Sequence, residues 1–411
     1  MKQERPAQDW RVTMAVFTGA LFLDLLAWGH MAAFTPLYLR RELDVAPDLV
    51  PVWAGVLAAA PLAVAVPLSP FWGVLSERYN RKAVIVRAEY ASMIGYALAA
   101  IATNPWQLLL SRIAFGFSFG NVAVMLATQS IITPGRRLGS ALGIIQAAMP
   151  AATAASPLWG ALLVQTLGLR AMWAIDAATV LLSGSSILLL VREPNVPRST
   201  APVLGRVREM AATTIRQPTV RWSFVAWFLL FSGAGAIDPF VPVLIQRLYS
   251  GPDPAVAIGL VLGAYGLMTS VGTVALGRVA DHVSPTRLLM AASAGLAVIV
   301  ALIGLSPTLL ALAALMLLRA IPMAGTGPAL YLHLARVLPA SHRASIMSFS
   351  PFPRNLAYLV APLLAAVASS LGLTAVFLLG AFCYLLAFIV SRLLDLAPAF
   401  AVRAGAPSES G

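Results

Sequence analysis

Five ionised side chains stand inside long apolar stretches: Asp24, Arg112, Asp238, Arg319 and Arg354. A charge near the middle of such a stretch in a membrane costs at least about 2.5–3.5 kcal/mol on insertion scales, so a functional role is the first expectation for each. A carboxylate between a fixed arginine and an apolar surround is pulled two ways: the cation favours its charged form and burial its neutral form. Such a group can bind a proton on one side of a barrier and release it on the other. Asp24, well inside its stretch, is the first choice for that carboxylate, with Arg112 as the fixed cation. Asp238 is the second, because Pro239 and Pro242 follow it where a helix can break and open to water. The plainer reading is a static ion pair such as Asp24 with Arg112. His30 belongs to the residue type that exchanges protons near neutrality and is placed as a polar cavity residue. Glu89 and Asp176 fall within about two turns of a span end and read as boundary groups.

The elements that must position these charges are membrane spans. The 411 residues are 59% hydrophobic and only 11% charged, with a mean hydropathy of +0.84. A soluble domain carries about 25% charged residues. Disorder, a coiled coil and a disulfide-rich secreted fold are excluded. One cysteine, Cys383, allows no intramolecular disulfide and no cysteine-based metal site. Apolar stretches lie near 12–39, 52–75, 83–104, 106–130, 139–165 and 171–191, and again near 219–247, 257–277, 287–305, 308–334, 344–370 and 373–394. Each is long enough to cross a bilayer, which needs about 20 residues. The expected fold class is an all-α polytopic membrane protein of twelve transmembrane helices.

A net charge of +12 would raise nucleic-acid binding in a soluble chain. Here the basic residues gather on one side. Only Arg40, Arg41, Arg170 and Arg247 fall on the other, while Arg112, Arg319 and Arg354 lie within spans. That asymmetry is the positive-inside pattern, and it places both termini in the cytoplasm. The first apolar stretch is too long for a signal-peptide core and contains Asp24, so it reads as a retained helix.

The longest polar interruption divides the chain into a six-span bundle over 1–191, a cytoplasmic linker over 192–218, a second bundle over 219–395 and a tail over 396–411. Within the linker, Val203, Val207 and Met210 share one helical face opposite Arg206 and Glu209, which fits a surface helix as well as a solvated tether. The halves repeat at a near-constant offset: Phe34-Thr-Pro36 with Phe240-Val-Pro242, Gly55 and Gly73 with Gly259 and Gly277, Arg112 with Arg319, and Pro157 with Pro362. Two six-span repeats are the plan of transporters that rock two bundles about a central site.

Between spans 2 and 3 stands Gly73-Val-Leu-Ser-Glu-Arg-Tyr-Asn-Arg-Lys82. It resembles the loop 2–3 signature of the major facilitator superfamily, matching at Gly73, Leu75, Arg78, Arg81 and Lys82. It departs at Glu77, where the family has Asp, and at Asn80, where the family has Gly and where Asn tolerates a left-handed backbone. A weaker copy around Gly277 and Asp281 occupies the equivalent loop of the second half. The resemblance implies a cytoplasmic gate in which Glu77 meets a positive helix end near Ser345, with Arg78, Arg81 and Lys82 completing the charge network. Relatives often add an acid at the inner end of span 4, which Thr128–Thr133 lacks. In the family, spans 1, 4, 7 and 10 line the cavity, which implies a shared site for Asp24, Arg112, Asp238 and Arg319 with Trp28, His30 and Phe34; Arg354, on span 11, is also expected at the substrate cavity. Arg112 through Gly120 resembles the span 4 motif of proton-coupled members. Span 5 resembles the antiporter motif of the drug:proton antiporter branch. Gly143, Pro157 and Gly160 match there, while Ala152 and Ser156 stand where the motif has glycine. Ordinary small-residue packing explains that stripe too.

The resemblance implies a secondary transporter that exports small amphipathic molecules or drugs by proton antiport, a multidrug efflux and antibiotic-resistance role, in the inner (plasma) membrane. Two alternatives stay open: uptake or dedicated export of one metabolite, and a non-transporting receptor on the same fold. No Walker pattern occurs, so the proton gradient supplies the energy and no cofactor or metal is expected. No enzyme chemistry is expected either. The expected partners are a small-molecule substrate, protons and the lipid bilayer, without nucleic acid, and the family resemblance implies a monomer.

Overall fold

In a computed structural model of the protein, residues 9–78, 80–192, 205, 218–337 and 351–404 are described. Twelve helical spans run over Trp10–Arg41, Val50–Leu68, Arg81–Ile101, Pro105–Ile132, Gly135–Leu167 and Leu169–Leu190, then Val220–Leu248, Pro254–Val279, Pro285–Gly304, Leu309–Leu334, Pro351–Leu371 and Leu373–Leu396. Number and order agree with the sequence expectation, and the ends differ by a few residues. Span 11 was expected from 344, but residues 338–350 lie outside the described part. Most of the linker does too, so the surface helix read there lies outside the described residues.

Local chemistry sets the span ends. The Asp9 carboxylate accepts from Arg11 N at 2.9 Å, Asn80 Oδ1 from Ala83 N at 2.8 Å, and Asn104 Oδ1 from Gln107 N at 3.0 Å. Each side chain satisfies an amide that the first turn leaves without a partner. Asn80 has φ −148°, so it caps span 3 from an extended backbone and not from the left-handed turn expected for it. Gly168 and Gly372 carry φ of 89° and 108° at the junctions of spans 5 and 6 and of spans 11 and 12. They stand 204 residues apart, so the repeat extends to the turns that glycine makes possible.

Packing follows the repeat as well. Span 1 lies against spans 5 and 6, span 3 against spans 4 and 6; in the second half span 7 lies against spans 11 and 12, span 9 against spans 10 and 12. Two compact units result, Met1–Val207 with Asp238–Leu267 and Arg208–Ile237 with Met268–Gly411. Large apolar side chains cover the outside, with Leu189 79%, Leu310 81% and Leu371 85% exposed. In water such a surface would be untenable; facing acyl chains it costs nothing.

Candidate proton and substrate site

Span 4 is broken. Its first helix, Pro105–Gly116, gives way to a turn, and a second helix, Asn121–Ile132, starts after Gly120 at φ 97°. Gly116 packs closely against span 2. A Cβ on it would lie 2.6 Å from both Pro61 O and Val64 Cβ of span 2. Gly120 instead supplies a backbone conformation that L side chains rarely adopt. The interruption frees backbone groups that membrane interior cannot solvate. Phe117 N and Ser118 N turn back to Ala114 O and Phe115 O at 3.2 and 2.9 Å, and Arg87 Nη2 donates to Phe119 O at 3.1 Å.

The break aims Asn121 at two acids. Its Nδ2 donates to Asp24 Oδ2 at 3.1 Å and to Glu89 Oε1 at 3.4 Å, while its Oδ1 accepts from Val122 N at 2.9 Å. The backbone donor thus fixes the amide so that its NH2 faces the carboxyl groups. Ser183 Oγ donates to Glu89 Oε2 at 2.8 Å. The Asn121 amide thus joins the Asp24 and Glu89 carboxyl groups through one donor. Glu89 is fully buried, which corrects its reading as a boundary group: spans 3 and 6 pack face to face and enclose it. One turn from Asp24, Trp28 forms an aromatic wall with Phe115 and Phe119, at ring centroid distances of 5.1 and 5.9 Å.

Arg112 does not join this cluster. Its Nη2 donates to Thr35 Oγ1 at 3.0 Å, and its guanidinium lies 4.9 Å from the Trp173 ring centroid. Trp173 stacks on Tyr38 at 4.2 Å, and the Tyr38 hydroxyl donates to Ala99 O at 2.8 Å. Among the described residues no carboxylate lies within ion-pair distance of Arg112, so the Asp24–Arg112 pair weighed from the sequence does not form. Arginine tolerates this because its weakly hydrated plane stacks on indole.

A second buried pair was not legible in the sequence. His30 Nδ1 lies 2.9 Å from Asp176 Oδ1, and both residues are buried to within 2% of full. Asp176, like Glu89, is therefore an interior group and not a boundary one. Gly160 makes the room: a Cβ there would stand 2.5 Å from Phe34 Cε2 and 2.7 Å from His30 Cδ2. His30 and Phe34, expected in the substrate cavity, are thus enclosed between spans 1 and 5. Ala152, Ser156 and Pro157 of the same small-residue stripe pack closely too. Ser156 Oγ donates to Leu26 O at 2.6 Å and crowds Gly29, and Ala152 is fully buried. Pro157 turns its carbonyl to Gly259, where a Cβ would lie 2.8 Å from it, and Gly266 faces Thr153 O at the same distance. Gly143 is exposed, with nothing within 4 Å of an added Cβ.

Asp238 is half-buried in the interruption of span 7 between Ile237 and Val241, where the prolines led one to expect a break. In the second unit Arg319 is 1% exposed and Arg354 half-buried. At the expected gate Arg78 is exposed, Arg81 and Lys82 are half-exposed, and Gly277 has open space at its Cβ position. The side chains of Glu77 and Asp281, the surroundings of Gly73, and Ser345 lie outside the described part.

The curated relatives include the "Multidrug resistance protein MdtG" of Rahnella sp. (strain Y9602), 26% identical over 374 residues that cover 90% of each chain. The protein of that name from Escherichia coli O81 (strain ED1a) is 26% identical over 292 residues, 70% of each chain. Among solved structures, the nucleoside transporter NupG superposes with a TM-score of 0.75 at 13% identity, over 94% of this chain and 98% of that one. A bacterial homolog of the human lysosomal transporter Spinster, inward-facing and unoccupied, gives 0.74 at 15% identity with the same coverage. The family model described as Major Facilitator Superfamily matches residues 16–257 and 249–410, and with twelve spans in two six-span repeats this chain belongs to that superfamily.

Proposed function

We propose that the protein is a proton-coupled antiporter that exports small amphipathic molecules or drugs by alternating access, embedded in the inner membrane with both termini in the cytoplasm. The observation that carries the reading is the Asp24–Glu89 carboxyl pair on the Asn121 amide at the break in span 4. Two carboxyl groups held on one amide repel when both are charged, so in this reading the pair carries one proton and loses it when the groups separate or a competing cation arrives. The break supplies a place where such separation costs few helical hydrogen bonds, as in other transporters whose discontinuous helices form the site. The aromatic wall of Trp28, Phe115 and Phe119 beside the pair gives an apolar surface for the body of an amphipathic substrate. The name of the MdtG relatives supports drug export, and the one-sided distribution of Lys and Arg supports the orientation. Arg78, Arg81 and Lys82 in the loop after span 2 act as the inner gate in this reading, the proton gradient is the sole energy source, and one chain suffices for transport.

Purified protein in liposomes under an imposed pH gradient tests it, with flux of amphipathic dyes and antibiotics as the readout. Gradient-driven efflux that Asp24→Asn and Glu89→Gln each abolish is expected. Flux that survives both substitutions refutes the assignment of the proton, and absence of flux for every compound redirects the search to a single metabolite.

A further inference from the structure

The first unit contains polar groups that the carboxyl pair does not use. On span 3, Glu89 and Tyr96 are seven residues apart; on span 6, Asp176 and Ser183 are seven apart. Seven residues are about two helical turns, or about 10.5 Å, so both helices present the same face at two levels. One level holds Asp24, Glu89, Asn121 and Ser183. The other holds Tyr96, Asp176 and His30. At both levels polar atoms are buried with no hydrogen-bond partner among the described residues: Asp24 Oδ1 at the first, Tyr96 Oη, Asp176 Oδ2 and His30 Nε2 at the second. Tyr96, Asp176 and His30 are each more than nine-tenths buried. Tyr96 packs with Trp28 and Phe115 and with Ala177 and Val180, which lie between Asp176 and Ser183 on span 6. Buried polar atoms that lack a protein partner are where ordered water sits.

We propose that His30 and Asp176 form a second proton station, joined to the Asp24–Glu89 pair through the Tyr96 hydroxyl and intervening water. In the transfer an O–H bond of the carboxyl pair breaks, and its proton passes by water to the Tyr96 oxygen. The phenolic hydrogen moves on to Asp176 Oδ2, or through it to His30, so the phenol is regenerated and no electrons change hands. The ionisable groups around the station include Asp24 and Tyr38 on span 1, Glu89 and Tyr96 on span 3 and Arg112 on span 4. Span 5 presents Gly160 to His30. Because Gly160 seats His30 directly against span 5, a change of charge on the station bears on the helix that carries the antiporter stripe. Use of the station in transport rests on the antiport reading; its existence does not.

The test is infrared difference spectroscopy of the carboxyl region, on the full chain in lipid nanodiscs, between mildly acidic and mildly alkaline buffer. Isotope-labelled histidine NMR on the same samples reads His30. Glu89→Gln is expected to remove one protonated-carboxyl band and Asp176→Asn a second, while His30→Gln shifts the pH at which the second appears. Tyr96→Phe is expected to keep both bands but slow exchange of the second. If Asp176→Asn and His30→Gln both leave the wild-type spectrum unchanged, the pair is a static brace and the proposal falls. Should Asp176→Asn fail to fold, a His30 resonance that stays fixed across the pH range overturns the proposal, and one that moves and is lost in His30→Gln supports it. Wild-type protein that shows both bands but moves no compound under a pH gradient refutes the antiport reading and leaves the station standing. Gradient-driven flux without a second band does the reverse.

Discussion

Spans 4 and 10 descend from the same position in the two repeats, and they have diverged in a way that separates scaffold from chemistry. Arg112 and Arg319 correspond, both are 1% exposed, and at the same offset Gly120 corresponds to Gly327. Span 4 breaks at its glycine, whereas span 10 runs as one helix over Leu309–Val337. The glycines are equally permissive, so the difference lies in their neighbours. Arg87 on span 3 reaches the Phe119 carbonyl freed by the break. Span 9, the counterpart of span 3, has the short Ser293 where span 3 has the long Arg87, and its single charged residue, Arg287, stands at its first turn. A freed carbonyl in hydrocarbon costs several kcal/mol, so span 10 stays closed. The acids divide the same way. Asp24 corresponds to Leu230, and span 9 has no acid where span 3 has Glu89. Glu89 and Asp176, the acids buried most deeply among the described residues, both lie in the first repeat.

Four measurements break or sharpen this contrast. The largest effect is expected on flux: Asp24→Asn or Glu89→Gln lowers pH-gradient-driven transport by about 10²-fold or more, the range a positioned proton carrier contributes. Asp238→Asn, in the second repeat, is expected to leave most of it. Equal losses from all three would erase the asymmetry. Next, Arg87→Met deprives the Phe119 carbonyl of its donor and costs about 1–3 kcal/mol of stability, read as a lowered thermal midpoint in detergent. Gly120→Ala forces a side chain into the left-handed region at about 1–2 kcal/mol, whereas Gly327→Ala, helical and with nothing within 4 Å, gains up to about 1 kcal/mol. The same thermal assay decides, and two losses of equal size would mean that span 10 bends as well. The smallest effect is Arg112→Lys, which keeps the charge but loses the flat stack on Trp173 and weakens stability by about 1 kcal/mol.

How far the sequence leads differs sharply between fold and site. Span count and order, the repeat and the break of span 7 at Asp238 were all legible, because each depends on runs of apolar residues or on proline within one helix. The small-residue stripe of span 5 was legible as packing, yet its partners were not: Ser156 meets the Leu26 carbonyl, and Gly160 meets His30 and Phe34. Glu89 and Asp176 were misread from their nearness to span ends. Their depth depends on how closely spans 3 and 6 pack, which neither span states alone. Asn121 gave no signal at all. A membrane asparagine next to a glycine is unremarkable until that glycine turns the backbone and points the amide at two acids on other helices.

By itself, then, the chain determined that it spans a membrane twelve times, with basic loops on one side and two related halves, since hydrophobic transfer and helix length act residue by residue along one strand of sequence. Only the tertiary structure decided which charges meet. It separated Arg112 from Asp24, gave Asp24 to Glu89 and Asn121, and joined His30 to Asp176. The physical reason is range: spacing within a helix fixes which residues share a face, but hydrogen bonds of about 3 Å form between faces of different helices, and those faces are brought together by close packing at glycine, serine and alanine rather than by the charged residues themselves.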